Sequence, residues 1–243
     1  IYLEEGDFAF ITPSSITILD ESGTEVRRDL TRIHEAVESI DMGDFDHYMM
    51  KEIYQQPQAL AATFIAGGGH AVKDASFGEV AAAIFDQIKT VHIVDCGTSY
   101  HAGMVARYWL EELAGVPCEV EVASEFRYRK RVQHEGTLLV MISQSGETAD
   151  TRAALRNAAE GEFVGSLVIA NVDNSSLVRE SDLVFLTRAG AEIGVASTKA
   201  FTTQLVGLLM LTIALGRRRE LSEEKKQELV NALHALPDYV QQT

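Results

Sequence analysis

The chain has 243 residues, 46% of them hydrophobic, with 21 Lys and Arg against 36 Asp and Glu for a formal net charge of −15. That length and apolar content supply a sizeable core in one large domain or one domain with added pieces. The acidity argues against a general nucleic-acid binder, whose affinity comes from neutralising phosphates. Cys96 and Cys118 lack any CxxC or zinc spacing, so neither a disulfide framework nor a metal site is expected, and a reducing cytoplasm fits. The longest apolar stretch, residues 205–215, contains Thr212 and is too short to span a bilayer, which predicts a buried helix. No signal-peptide pattern is visible, and Ile1 is not a start methionine, so the chain is expected to begin inside a larger protein.

Taken in order, residues 7–12 and 15–20 alternate in part (Phe8, Phe10, Ile16, Ile18) around Pro13 and Ser14, which predicts a β-hairpin with too few strands to stand alone. Residues 24–46 are charge-rich without clear periodicity and read as a linker. A helical pattern over 47–56 ends at Pro57, another covers 58–66, and Gly67, Gly68 and Gly69 break the chain. Ser76 and Glu79 have capping-box spacing before a helix whose apolar face is Val80, Ala83, Ile84 and Ile88. From residue 91 strands and helices alternate. Strands are expected at 91–95, 119–123, 138–142, 166–170 and 183–186. Helices are expected at 100–114, over a basic segment at 125–132, from the 143–148 turn to 159, at 175–181, and over 198–215. Ser222 is placed to cap a last amphipathic helix carrying Leu229, Ala232, Leu233 and Leu236. The alternation predicts a three-layer α/β/α fold around a five-stranded parallel sheet, flavodoxin-like or Rossmann-like, preceded by the hairpin and linker helices.

In such folds ligands bind outside the carboxyl ends of the strands. Three loops fall there: Cys96-Gly97-Thr98-Ser99, Ser143-Gln144-Ser145-Gly146-Glu147-Thr148, and the segment from Glu192 to Lys199. The first N–H groups of a helix have no internal partner and carry partial positive charge. Hydroxyls converging on them, with Gly146 allowing close backbone approach, make a site for a phosphate-like anion. The competing reading is simple capping, with Ser145 as N-cap and Thr148 at the third helical position. Two hydroxyl-rich helix starts at strand ends favour the anion site. No GxGxxG or GxxxxGK[ST] is present, which removes the main support for dinucleotide and nucleoside-triphosphate sites. The stretch from Gly97 to His101 nears a GxSxG elbow but lacks the final glycine, so Ser99 is not expected to be a nucleophile. His101 is expected to face solvent or pack locally. The basic run Arg127, Arg129, Lys130, Arg131 reads as a solvated helix face.

These motifs resemble the glucosamine-6-phosphate synthase family, whose reaction is glutamine–fructose-6-phosphate amino transfer with isomerisation. The resemblance is carried by Cys96-Gly97-Thr98-Ser99, Ser124-Glu125-Phe126-Arg127-Tyr128-Arg129, the 143–148 loop, and Gly194-Val195-Ala196-Ser197-Thr198-Lys199-Ala200-Phe201-Thr202. His47-Tyr48-Met49-Met50-Lys51-Glu52-Ile53 with Gln56-Pro57 looks like that family's lead-in to its isomerase domain, and Leu3-Glu4-Glu5-Gly6-Asp7 like the end of its glutaminase domain. The resemblance implies that residues 1–36 end the glutaminase domain and linker, and that 37–75 are lead-in helices. It implies that 76–220 form a first sugar isomerase (SIS) module, and that 221–243 lead to a missing second one. Ser99, Ser143, Gln144, Ser145 and Thr148 would hold the 6-phosphate of fructose 6-phosphate, with Thr98, Val195 and Ser197 on the sugar side. The product would be glucosamine 6-phosphate, for amino-sugar and cell-envelope precursors.

The family's cysteine nucleophile, glutamate base, lysines and ring-opening histidine all fall outside these 243 residues. The resemblance therefore implies a fragment without catalytic residues of its own, needing no cofactor or metal. It also implies a homodimer without nucleic-acid or membrane partners. A non-catalytic sugar-phosphate-sensing SIS module is the alternative. A lone SIS isomerase is third, with Glu147 and Glu192 as the only nearby acid or base candidates.

Overall fold

The computed structural model describes residues 1–30, 41–132, 134–158 and 163–243, in two compact units, Ile1–Ser39 and Ile40–Thr243. In the first unit β1 (Phe8–Ile11), β2 (Ile16–Leu19) and β3 (Glu25–Val26) pair antiparallel, with Phe8 opposite Leu19 and Ile18 opposite Val26. The hairpin is as expected. The third strand lies where the linker was expected, because the Asp20 carboxylate accepts from the N–H groups of Ser22 (2.9 Å) and Thr24 (3.0 Å) and folds the chain back. Residues 31–40 of that linker lie outside the described residues. Arg28 forks onto Asp7 and holds its carboxyl at a pKa of about 2. Phe8, Phe10, Ile11 and Ile16 are exposed, and Ile18 is buried.

The second unit begins with α1 (Tyr48–Tyr54) and α2 (Gln56–Ala66), where Pro57 sits in the first turn and starts the helix, as its fixed φ and missing N–H favour. Two 3-10 turns (Gly69–Ala71, Asp74–Phe77) lead to the five-residue α3 (Ala81–Phe85). The capping box is not made. Ser76 lies inside the second 3-10 turn, and Gly78 at φ 130° separates it from α3. The buried face there is Ala81, Phe85 and Ile88 with Ile84 partly buried, whereas Val80 and Ala83 are exposed.

Then follow β4 (Thr90–Asp95), α4 (Gly97–Ala114), β5 (Cys118–Val122), α5 (Ala123–Phe126), β6 (Thr137–Ser143), α6 (Ala149–Arg156), β7 (Gly165–Ala170), α7 (Ser176–Glu180), β8 (Leu183–Leu186), α8 (Lys199–Gly216) and α9 (Glu223–Gln241). The sheet order is β5-β4-β6-β7-β8, parallel at every pairing. This is the flavodoxin-like order, which switches direction between β4 and β6. Every residue of β6 is buried, because alternate side chains meet different helix layers. Leu138, Val140 and Ile142 join the core with α4, α8 and α9, while Leu139 and Met141 join Ala123, Phe126, Ala154 and Leu177 on the other face.

The basic segment does not form the expected helix. It stops at Phe126, where Arg131 stacks over the Phe126 ring at 3.8 Å, Arg127 pairs with Asp150 at 2.7 Å, and Arg129 forks onto Glu121. Ser222 caps α9 as expected, accepting from the Lys225 N–H at 3.1 Å. That helix buries Val230 and Leu233 and leaves Ala232 exposed. α8 starts earlier than its apolar run and reaches 18 residues, long and apolar enough by composition to cross a membrane, yet 78% of it is buried inside the fold.

Candidate functional site

Two of the three expected loops meet. β4 and β6 are hydrogen-bonded neighbours, with Val94 opposite Met141, so the loops leaving their carboxyl ends lie side by side at the switch point of the sheet. The first is shorter than expected. Cys96 is the N-cap of α4, which places Thr98 and Ser99 in the first helical turn with Thr98 exposed. The helix start comes earlier because Asp95 Oδ1 accepts the Cys96 N–H at 2.7 Å and turns the chain there.

The 143–148 loop is held by its own hydroxyls. Ser143 Oγ accepts from the Gly146 N–H at 3.0 Å and lies 3.3 Å from Thr148 Oγ1, and Ser145 Oγ accepts from the Glu147 N–H at 3.2 Å. Simple capping is therefore not what these hydroxyls do. Thr148, not Ser145, is the N-cap of α6, and its side chain caps no N–H of the helix. Gly146 adopts φ 68°, and a Cβ there would fall 1.9 Å from Ser175 Oγ, so both its conformation and its surroundings exclude a side chain. Neighbouring elements pin the loop from outside: the Leu177 N–H donates to Gly146 O at 3.1 Å, and the Asn171 N–H to Gln144 O at 3.3 Å. Glu147 turns away, accepting the Ser176 N–H at 2.7 Å with Arg152 at 3.6 Å. Ser143 is buried, while Gln144, Ser145 and Thr148 are partly accessible.

The third loop leaves β8 at the sheet edge, two strands from β6. Three residues that the sequence reading did not single out bear on the site. Asn171, just past β7, donates to Gly190 O at 2.7 Å and accepts the Ala189 N–H at 2.8 Å, so one residue touches the second loop and the chain that leads from β8 into the third. Glu52, buried on α1, accepts the N–H groups of Ile193 (2.5 Å) and Gly194 (3.1 Å). The third is Asp95, 2% exposed and also reached by the Thr151 hydroxyl at 3.3 Å. Burial pushes the Asp95 carboxyl well above the usual carboxylate range, and the N–H groups of Cys96 and Ile142 and the Thr151 hydroxyl offset that only in part. A lone polar residue directly after an apolar strand run was the signal available for Asp95 and Asn171.

Glu192 caps α8 through the N–H groups of Thr198 (2.9 Å) and Ala200 (3.1 Å) and receives the Ser197 hydroxyl at 3.3 Å. Both acid–base candidates, Glu147 and Glu192, are thus engaged in holding backbone. Val195 is fully exposed at the loop tip. Neither it nor Ser197 is in contact with the 143–148 loop through any hydrogen bond among the described residues. Lys199 is buried with Nζ 2.8 Å from Gln55 Oε1; burial lowers its pKa, opposed by Glu52 and Glu192. A cavity of about 250 Å³ opens elsewhere, along edge strand β5, lined by His92, Arg107, Glu119, Glu121 and Arg129 among others.

A parallel 2-1-3-4-5 sheet with hydroxyl-lined loops at its switch point defines a doubly wound α/β domain, and the SIS domain family matches residues 84–214. The chain belongs to the SIS domain family. Within it, the chain is similar to the glutamine–fructose-6-phosphate aminotransferase (isomerizing) of Pseudomonas putida, at 58% identity over 98% of this chain and 39% of that protein. The enzyme of the same name from Idiomarina loihiensis is 57% identical over the same shares. Among solved structures, the C-terminal domain of glucosamine-fructose-6-phosphate aminotransferase from Francisella tularensis aligns with a TM-score of 0.77 and 49% identity, covering 80% of this chain and 55% of that one. The chain thus spans about 39% of the length of the curated relatives it matches.

Proposed function

We propose that this chain is the sugar-phosphate-binding half of an enzyme that makes glucosamine 6-phosphate from fructose 6-phosphate and glutamine. The observation that carries the reading is the 143–148 loop: three hydroxyls and a left-handed glycine at the sheet's switch point, with no side chain capping the helix behind them. Ser143, Gln144, Ser145 and Thr148 would grip the 6-phosphate with Ser99 from the start of α4. Thr98, Val195 and Ser197 would line the sugar side. Similarity to enzymes named for fructose 6-phosphate supports this choice of sugar.

In the whole enzyme, ammonia released from glutamine would add to the C2 carbonyl of the open-chain sugar, and a carboxylate base would move a proton from C1 to C2. Residues 1–36 would close the glutaminase domain, 37–75 would lead into the isomerase half, 76–220 would be its first module, and 221–243 would join the second. That enzyme would be a cytoplasmic homodimer. Glu147 and Glu192 are already committed to backbone groups, so this chain alone holds sugar phosphate without turning it over.

Calorimetric titration with fructose 6-phosphate, alongside Ser145→Ala, tests the reading. Losing one hydrogen bond to a charged group costs roughly 1.5–3 kcal/mol, so the substitution is expected to weaken binding about tenfold or more. No heat at millimolar sugar from the folded chain, or an unchanged affinity in the variant, refutes the assignment.

A further inference from the structure

Asp95 is a buried carboxyl beside the first two candidate loops, and the reading above gives it no part. It ends β4 at the point where the sheet's connections diverge. Its Oδ1 accepts the N–H of Cys96, the N-cap of α4, at 2.7 Å and the hydroxyl of Thr151, in the first turn of α6, at 3.3 Å. Oδ2 is buried and makes no hydrogen bond of ordinary geometry among the described residues, the Ile142 N–H being the one further backbone donor that acts on the carboxyl. The charged groups on the packed elements are occupied elsewhere: Asp150 of α6 with Arg127 at 2.7 Å, Glu121 of β5 with Arg129, and Arg152 of α6 with Glu180 at 3.2 Å. Among the described residues no Lys, Arg or His pairs with Asp95.

We propose that Asp95 is a positioning residue for anion binding, whose buried carboxyl ties the start of α4 to the first turn of α6 and so sets the spacing between Thr98 and Ser99 on one side and the 143–148 loop on the other. The inference rests on the sugar-phosphate reading. α4 and α6 follow the neighbouring strands β4 and β6, and the two sets of hydroxyls must converge on one anion to within hydrogen-bonding distance. A carboxylate within one turn of both helix starts would oppose a dianion there. A carboxylic acid does not, and burial without a cation favours the acid. The proton then resides on Oδ2 while Oδ1 keeps both of its bonds.

The experiment is calorimetry of the full chain with fructose 6-phosphate and, separately, inorganic phosphate, on the wild type, Asp95→Asn, Asp95→Ala and Thr151→Val, each checked for folding by circular dichroism. Asparagine keeps the Oδ1 acceptor and mimics the neutral acid, so Asp95→Asn is expected to bind within about twofold of the wild type. Asp95→Ala should lose tenfold or more, and Thr151→Val, which removes only the α6 end of the bridge, at least threefold. A purely structural role would lower the melting temperature of the alanine variant and leave its affinity unchanged, which overturns the proposal. Asparagine binding as poorly as alanine overturns it too, because an ionised carboxylate would then be required. If Asp95→Ala does not fold, an unchanged affinity in Thr151→Val overturns it. A wild type that binds neither ligand removes the sugar-phosphate reading and this inference with it, whereas a binding wild type with indifferent variants removes this inference alone.

Discussion

A buried carboxyl makes stability depend on pH, and Asp95 gives that dependence a sign. Its folded pKa is raised by burial above the ordinary 3.8, so the folded state holds the proton more tightly than the unfolded chain does. The stability it contributes is fully present below that ordinary value. It is lost progressively as the pH rises toward the raised folded value, at up to about 1.4 kcal/mol per pH unit. Urea unfolding of the wild type and Asp95→Asn from pH 4 upward should therefore diverge, the wild type falling relative to the variant. Parallel curves would mean that the carboxyl ionises in the folded protein at its ordinary pKa. The same scale explains why the candidate anion loop was legible in the sequence and its supports were not. Ser143, Ser145, Gly146 and Thr148 fall within six residues and carry their chemistry openly, and their mutual bonds are local. Asp95, Asn171 and Glu52 act on partners 56, 18 and 141 residues away, a separation that no local pattern encodes.

Elements were legible where burial on both faces forced a continuous apolar run, as in β6, or where a cap spoke for itself, as at Ser222. They misled where charge or spacing was read without its tertiary partner. The 125–132 segment has helical composition, yet Arg127, Arg129 and Arg131 are drawn to Asp150, Glu121 and the Phe126 ring, and the helix ends after one turn. α4 depends on an equally close fit. A Cβ on Gly103 would come within 2.9 Å of Ile93 Cγ2 and 3.2 Å of Val120 Cγ1, so the helix lies on the sheet as tightly as glycine permits. Gly103→Val is expected to overpack this contact and lower stability by about 1–3 kcal/mol in denaturant unfolding. An unchanged midpoint would show that α4 can shift outward freely, and Thr98 and Ser99 would then not be fixed by packing.

Across the whole molecule, both core clusters and every candidate site residue belong to the second unit, and among the described residues of the first unit Ile18 is the one buried hydrophobic side chain. Residues 40–243 produced alone are therefore expected to unfold cooperatively and to bind fructose 6-phosphate with the affinity of the full chain. A truncated protein that is molten, or that binds tenfold more weakly, would assign the first unit a part in the fold or the site.

By itself the sequence determined the alternation of strands and helices, the parallel three-layer architecture, the hydroxyl loops at the strand ends and the resemblance to an amino-sugar-forming family. Apolar periodicity and loop chemistry are local, and the chain carries them in consecutive residues. The tertiary structure decided the strand order that sets two of those loops side by side, the edge position of the third, and the buried carboxyl and amide groups that brace them. The buried helix that the apolar run over 205–215 predicted is α8, which starts earlier than that run and is 78% buried inside the fold. Strand order, burial and bracing bonds are made between distant parts of the chain, and they exist only once the sheet has closed around its core.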